Sequence, residues 1–136
     1  GSFLNGRRLK VSSHAPLARA LLVTGFPYDV RTNPDNNIDR YSQFALRSRG
    51  VRRLGSAALE LSYVASGRVD GYWESRLKPW DVAAGIVIAR EAGATVSDYS
   101  GRELPLPHDE MLATNGLIHP EMLTVMRDGD NAPRPA

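Results

Sequence analysis

The sequence predicts an α/β fold, with short strands alternating with helices in packed layers. Three observations carry this. Short apolar runs such as Ala20-Leu21-Leu22-Val23-Thr24 are stopped by Gly or Pro, as buried strands are. Between such runs, apolar residues recur at the three- and four-residue spacing of helices, as in Ile38, Tyr41, Phe44 and Ala45. Gly50, Gly67 and Gly93 each stand just past one of these helical stretches, where a C-cap is expected.

In chain order, Leu4 to Ser12 carries Asn5-Gly6 between strand-like pieces and reads as a hairpin. Ala20 to Thr24 is a buried strand ended by Gly25 and Pro27. Asp35-Asn36-Asn37 supplies candidate caps for a helix over about residues 36–49, which Gly50 ends. Val51 to Leu54 is a short strand. Ser56 opens a second helix with Ala57, Ala58, Leu61, Val64 and Ala65 on its apolar face, and Gly67 closes it.

Val69 to Trp73 is the next strand. Asp81 opens a third helix, Val82 to Ala92, apolar on most sides and therefore buried on several faces. Ala94 to Tyr99 is a strand, Ser100-Gly101 a turn, and Pro105, Pro107 and His108 a loop. Met111 to Thr114 is a last strand, and Pro120 starts a final helix through Met122, Val125 and Met126. From Asp128 to Ala136 the chain is polar and Pro-containing, and is expected to be a disordered tail behind one domain over residues 1–127.

Composition narrows the function classes. The 136 residues are one domain's length, enough for a real core. Lys and Arg exceed Asp and Glu by only two, which gives no argument for nucleic acid, and the arginine groups at 7–8 and 47–53 read as solvated faces. The absence of cysteine excludes a disulfide framework and thiolate-bound zinc. Neither a membrane-spanning run nor a signal-peptide pattern is visible, and a cytoplasmic protein is expected.

The chemistry concentrates in Lys78-Pro79-Trp80-Asp81-Val82-Ala83-Ala84-Gly85 and its neighbours. Asp81 stands where a loop becomes a helix, an electropositive place that orients a carboxylate as a cap or as a metal ligand. Glu74, seven residues earlier, is a second carboxylate at the end of the strand and by itself reads as an exposed strand-end charge. Gly55-Ser56-Ala57 begins a helix, so its free N–H groups and small side chains suit an anionic or hydroxyl group, or simply a tight capped turn. Asp70 reads as shaping the strand entry beside Gly71, Trp80 as core or pocket wall, and Glu91 as a paired structural acid. His14, His108 and His119 have no metal-type spacing and read as loop or cap residues.

Trp80-Asp81-Val82-Ala83-Ala84-Gly85 running into Glu91-Ala92-Gly93 resembles the second signature of the inositol monophosphatase family, the magnesium-dependent, lithium-sensitive sugar phosphatases. Phe3-Leu4-Asn5-Gly6-Arg7-Arg8, Thr24-Gly25-Phe26-Pro27, Arg53-Leu54-Gly55-Ser56-Ala57-Ala58-Leu59 and Gly67-Arg68-Val69-Asp70-Gly71 are similar to that family in the same order. The resemblance covers roughly residues 1–127 and implies the C-terminal part of a layered αβαβα fold, a mixed sheet flanked by helices.

It further implies that Asp81 ligates Mg2+ and contacts substrate, and that Gly55, Ser56, Ala57 and Glu74 bind a small phosphorylated polyol. The family's earlier glutamate and its Asp-Pro-Ile-Asp-Gly-Thr motif, which hold most of the metal, have no counterpart here. The resemblance therefore implies half of a longer phosphatase, inactive alone and homodimeric when complete. Related activities on fructose bisphosphate, histidinol phosphate or adenosine bisphosphate are alternatives within the class. A non-catalytic binding or regulatory half-domain is the alternative outside it.

Overall fold

The computed structural model describes residues 1–104 and 109–136, so the predicted loop at Pro105, Pro107 and His108 lies outside the described residues. Phe3–Leu4 (β1) and Arg7–Arg8 (β2) form the predicted hairpin, with Leu4 opposite Arg7. Asn5 at φ 51° and Gly6 at φ 80° are both left-handed, as the two central residues of a tight hairpin turn must be.

The remaining strands are Leu21–Thr24 (β3), Gly50–Arg52 (β4), Gly71–Ser75 (β5), Thr95–Ser97 (β6) and Glu110–Thr114 (β7). They form one five-stranded mixed sheet in the order β4-β3-β5-β7-β6. β3 is parallel to β4 and β5, whereas β7 is antiparallel to β5 and β6. Among the described residues four helices flank it: Ile38–Ala45 (α1), Ala57–Ala65 (α2), Pro79–Glu91 (α3) and His119–Asp128 (α4).

Period-two alternation along the strands builds two cores, one on each sheet face. Val23, Tyr72, Met111 and Ala113 point to the α2–α3 side and meet Leu61, Val64, Val82, Ile86 and Ala89. Leu22, Trp73 and Leu112 point to the other side and meet Phe44 of α1 and Met122 and Val125 of α4. Trp73 packs on Phe44 with ring centroids 4.4 Å apart. Helices α2 and α3 touch closely at Gly85, where a Cβ would lie 2.6 Å from Leu61 Cδ1.

Several boundaries move from their predicted places, each for a local reason. The first helix stops at Ala45 rather than near 49, because Arg49 N bonds Ala20 O and draws the chain into β4. Strand β4 ends at Arg52 because Leu54 N bonds the Glu60 carboxylate instead of a neighbouring strand. The third helix opens two residues before Asp81, with Pro79 in its first turn. Strand β5 is displaced two residues onward, which sets Glu74 inside it.

The segment after Asp128 is packed where the composition predicts disorder. Gly129–Asn131 makes a 3-10 turn and Ala132 is buried. The cause is Arg47 of the α1 C-terminal turn, only 2% exposed, whose guanidinium donates to the carbonyls of Gly129, Ala132 and Pro133. None of the described helices is long and apolar enough to cross a membrane.

Candidate functional site

Strands β3 and β4 run parallel, yet α1 leaves β3 toward one sheet face and α2 leaves β4 toward the other. Loops that diverge this way open a crevice at the carboxyl ends of the strands. A cleft of about 750 Å³ lies there, lined by the loop after β3, the start of α2, the end of β5 and the start of α3. Gly55, Ser56, Ala57, Glu74 and Asp81 all line this one cleft, although they come from three separate parts of the chain. A second cleft of about 420 Å³ beside α1 and α4 contains none of them.

Asp81 is exposed and occupies the third position of α3, where its Oδ2 accepts the Lys78 backbone N–H at 3.1 Å. This is the reciprocal half of a capping box, and it orients the carboxylate while leaving Oδ1 for another partner. Ser56 is the N-cap of α2, and its Oγ accepts the Leu59 N–H at 3.4 Å. Gly55 precedes it at φ 88°, a conformation that favours glycine, with no heavy atom within 4 Å of where a Cβ would stand. The turn into α2 is therefore open on its cleft side.

Glu74 is half-buried, and its Oε1 accepts the Tyr72 hydroxyl at 2.7 Å. Burial pushes its carboxyl above the ordinary range; Asp81 adds to the rise, and the Tyr72 hydrogen bond and Arg53 oppose it. Gly25 explains how the carboxylate fits. Its φ is not left-handed, but a Cβ there would stand 2.3 Å from Glu74 Oε1. Glycine at 25 is thus a matter of space for Glu74.

Neighbouring residues complete the cleft. Trp80 is 80% exposed and forms wall, not core. Arg76 sits at φ 62° with its guanidinium 4.0 Å from Asp29 across the rim. Asn37, also left-handed at φ 72°, gives its side chain to Thr24 Oγ1, to Gly25 O and to the Trp73 indole N–H. Sequence inspection passes over Asn37 as one of three candidate caps, and it is Asn36 whose Oδ1 accepts Ile38 N–H. Sequence inspection also passes over Glu60 and Tyr72, although their partners Leu54 and Glu74 are near in sequence, and it reads Gly25 only as a strand end, because the contact of Gly25 with Glu74 joins distant parts of the chain.

Other singled-out residues lie elsewhere. Asp70 is at the opposite end of the sheet, buried, and accepts from Ser12, from Leu21 N and from the exposed His14 ring. His119 is buried at the start of α4 between Ser97 and Thr114. Glu91 is exposed and pairs with the Gly1 amine. Among the described residues no three His, Asp or Glu side chains converge as a metal set. Asp81 fits a hard cation as one oxygen donor, and the chain alone does not complete a coordination sphere.

The comparisons with known proteins bear on the family and the fold. The model of the inositol monophosphatase family matches residues 1–129. An inositol-1-monophosphatase of Synechocystis is 52% identical over 122 residues, covering 90% of this chain and 42% of that protein. The Nus factor SuhB of Pseudomonas aeruginosa is 42% identical over 131 residues, covering 93% of this chain and 48% of that one. Among solved structures, the inositol monophosphatase of Anabaena superposes with a TM-score of 0.87 at 45% identity, over 96% of this chain and 50% of that chain. The chain spans about half the length, or less, of the relatives it matches. By sequence and by fold, this chain belongs to the inositol monophosphatase family.

Proposed function

We propose that this chain contributes to a magnesium-dependent phosphatase acting on inositol monophosphate or a related small polyol phosphate. One observation carries the reading: a carboxylate for a hard cation, a helix N-terminus and a second carboxylate face one cleft at the carboxyl ends of the sheet. The N–H groups at the start of α2 bind an anionic or hydroxyl oxygen of the substrate, and Gly55 and Ala57 let it approach. Glu74 accepts hydrogen bonds from polyol hydroxyls and so orients the ring. Asp81 holds Mg2+ through its available oxygen and also meets a substrate hydroxyl. When bound, the metal supplies charge neutralisation at the phosphate and activation of water.

The chain by itself is inactive in this reading, because one carboxylate does not hold a two-metal site. A further segment carrying the family's earlier glutamate and its Asp-Pro-Ile-Asp-Gly-Thr motif completes the metal set. The α2–α3 layer supports such a neighbour: Leu59, Trp80 and Val87 are more than half exposed on it. The complete protein is then a cytoplasmic homodimer.

A fusion of this chain to the N-terminal half of the Synechocystis relative tests the proposal. Magnesium-dependent hydrolysis of inositol 1-phosphate is expected from the fusion and not from the chain alone. Asp81→Asn is expected to abolish it with the fold intact. Near-normal turnover in Asp81→Asn sinks the assignment.

A second reading, a non-catalytic binding or regulatory half-domain, is favoured by one observation: a relative 42% identical is called a Nus factor. It predicts a fusion that stays inactive and indifferent both to magnesium and to Asp81→Asn.

A further inference from the structure

The cleft holds positive charge to which the reading above gives no task. Arg53, just after β4, and Arg76 and Lys78, in the loop between β5 and α3, all line it and are all exposed. Glu74 and Asp81 share the cleft yet form no ion pair with any of the three. Among the described residues Arg53 and Lys78 have no carboxylate within ion-pair reach. Arg76 has only Asp29, at 4.0 Å, and both of those side chains are about half exposed. So loose a surface pair contributes little to stability.

Arg76 is also held at a cost. It sits at φ 62°, whereas the other described non-glycine residues at positive φ are Asn5 and Asn37, a type that tolerates it. Arginine is strained there, and glycine would adopt the same backbone freely. The pair with Asp29 does not offset that strain. Strain of this kind gathers where a ligand is gripped.

Two contacts bring the arginines to one place. The Arg53 guanidinium lies over the Phe26 ring, 5.8 Å from its centroid, and Arg76 reaches Asp29. Phe26 and Asp29 belong to one short loop after β3, where Val30 N–H donates to Pro27 O at 3.2 Å. Such a turn brings its ends within about 7 Å. Both arginines therefore meet the cleft rim along a single turn. A guanidinium gives phosphate two parallel N–H bonds, and a phosphate dianion attracts it more strongly than one carboxylate does.

From this arrangement we propose that Arg53, Arg76 and Lys78 form a second anion subsite, so that the substrate is a small polyol carrying two phosphates. The subsite takes the phosphate that does not react, and Arg76 exchanges Asp29 for it on binding. This subsite rests on the polyol phosphate reading of the cleft, in which the start of α2, Glu74 and Asp81 hold the polyol and its reacting phosphate. A cleft of about 750 Å³ has room for both groups.

The test titrates the 136-residue chain, without metal, with fructose 1,6-bisphosphate, fructose 1-phosphate and inorganic phosphate. NMR of the nitrogen-15 arginine side chains reports binding. The bisphosphate is expected to bind at least about tenfold more tightly than fructose 1-phosphate, as charge-assisted hydrogen bonds allow, and to shift the Arg53 and Arg76 signals together. Arg76→Gly removes the guanidinium and relieves the backbone. It is expected to melt no lower than the native chain and to lose that preference, with its affinity for fructose 1-phosphate unchanged. Asp29→Asn removes the competing carboxylate and is expected to tighten bisphosphate binding by about two- to fivefold, the strength of an exposed ion pair.

Equal affinity for the two sugar phosphates, or equal loss of both in Arg76→Gly, overturns the subsite. Inorganic phosphate binding as tightly as the bisphosphate overturns it too, because the cations then hold an anion without regard to the polyol. Binding of none of the probes has the same consequence. The polyol reading fails separately: hexanediol bisphosphate has two phosphates and no free hydroxyl. If it matches fructose 1,6-bisphosphate and still depends on Arg76, the polyol reading is refuted while the subsite stands.

Discussion

Glu60→Gln and His119→Gln are expected to tilt the pH dependence of stability in opposite directions. His119 is 6% exposed, with Nε2 2.8 Å from Ser97 Oγ and Nδ1 2.9 Å from Thr114 Oγ1. The Ser97 hydrogen goes to Asp98 O, so Nε2 carries the ring proton and Nδ1 accepts from Thr114. Burial of this neutral ring brings its pKa from 6.5 down to about 4. Burial takes Glu60 the other way, from 4.5 up to about 7. Each displacement corresponds to about 3 kcal/mol of folding free energy.

The signs follow from proton uptake. For His119 the unfolded chain binds the proton more tightly, so its contribution is complete above about 6.5 and is lost as pH falls through about 4. For Glu60 the folded chain binds the proton more tightly, so its contribution is complete below about 4.5 and is lost as pH rises through about 7. Between about pH 4.5 and 6.5 the two slopes oppose each other, each about 1.4 kcal/mol per pH unit. These two groups therefore leave the native chain nearly flat in that window. Glu60→Gln unmasks a stability that rises with pH, and His119→Gln one that falls. Urea unfolding at half-unit pH steps, followed by the fluorescence of the buried Trp73, measures both slopes. Parallel slopes in the native chain and both variants refute the reasoning.

Gly25→Ala places a methyl 2.3 Å from Glu74 Oε1, at the far end of a flexible side chain. It is expected to leave the unfolding midpoint nearly unchanged while weakening myo-inositol binding at least tenfold, checked by thermal melts and NMR titration. Gly85→Ala has the reverse outcome: its methyl meets Leu61 Cδ1 at 2.6 Å and Cβ at 2.9 Å inside the α2–α3 contact. Overpacking there costs about 1–3 kcal/mol in urea unfolding. Asn37→Ala strips partners from the Trp73 indole N–H and Thr24, and is expected to destabilise by about 1–3 kcal/mol for an orphaned buried donor. A shift of the Trp73 emission accompanies that loss.

What could be read from the sequence divides along the range of the interaction responsible. The hairpin at Asn5-Gly6 and the Ser56 cap are local: a few consecutive residues determine the backbone, and both stand where the residue types predict. The start of α3 is local too. Pro79 suits the first helical position, so Asp81 belongs in the first turn, where it reaches back to Lys78 N. Asp81 lies in the cleft in either position, because a third-position carboxylate and a cap face the same helix end.

Glu60 and Gly25 belong to the other kind. By periodicity Glu60 is an ordinary first-turn acid of an exposed helix start, and only the return of the chain through Leu54 and Tyr72 makes it a buried one. Gly25 follows an apolar strand and passes for a chain stop, yet its missing Cβ is space for a carboxylate 49 positions later. No residue near Gly25 carries that information. It resides in the register of β3 against β5, which sets Thr24 beside Trp73 and so brings Gly25 level with Glu74. A one-residue slip would turn Tyr72 and Glu74 to the opposite face of the sheet, away from α2, and the apolar core residues would turn with them. The same burial that holds the fold together therefore aligns Gly25, Tyr72 and Glu74. The cleft's least legible residues are thus fixed by its most legible feature, the alternating apolar pattern of the strands.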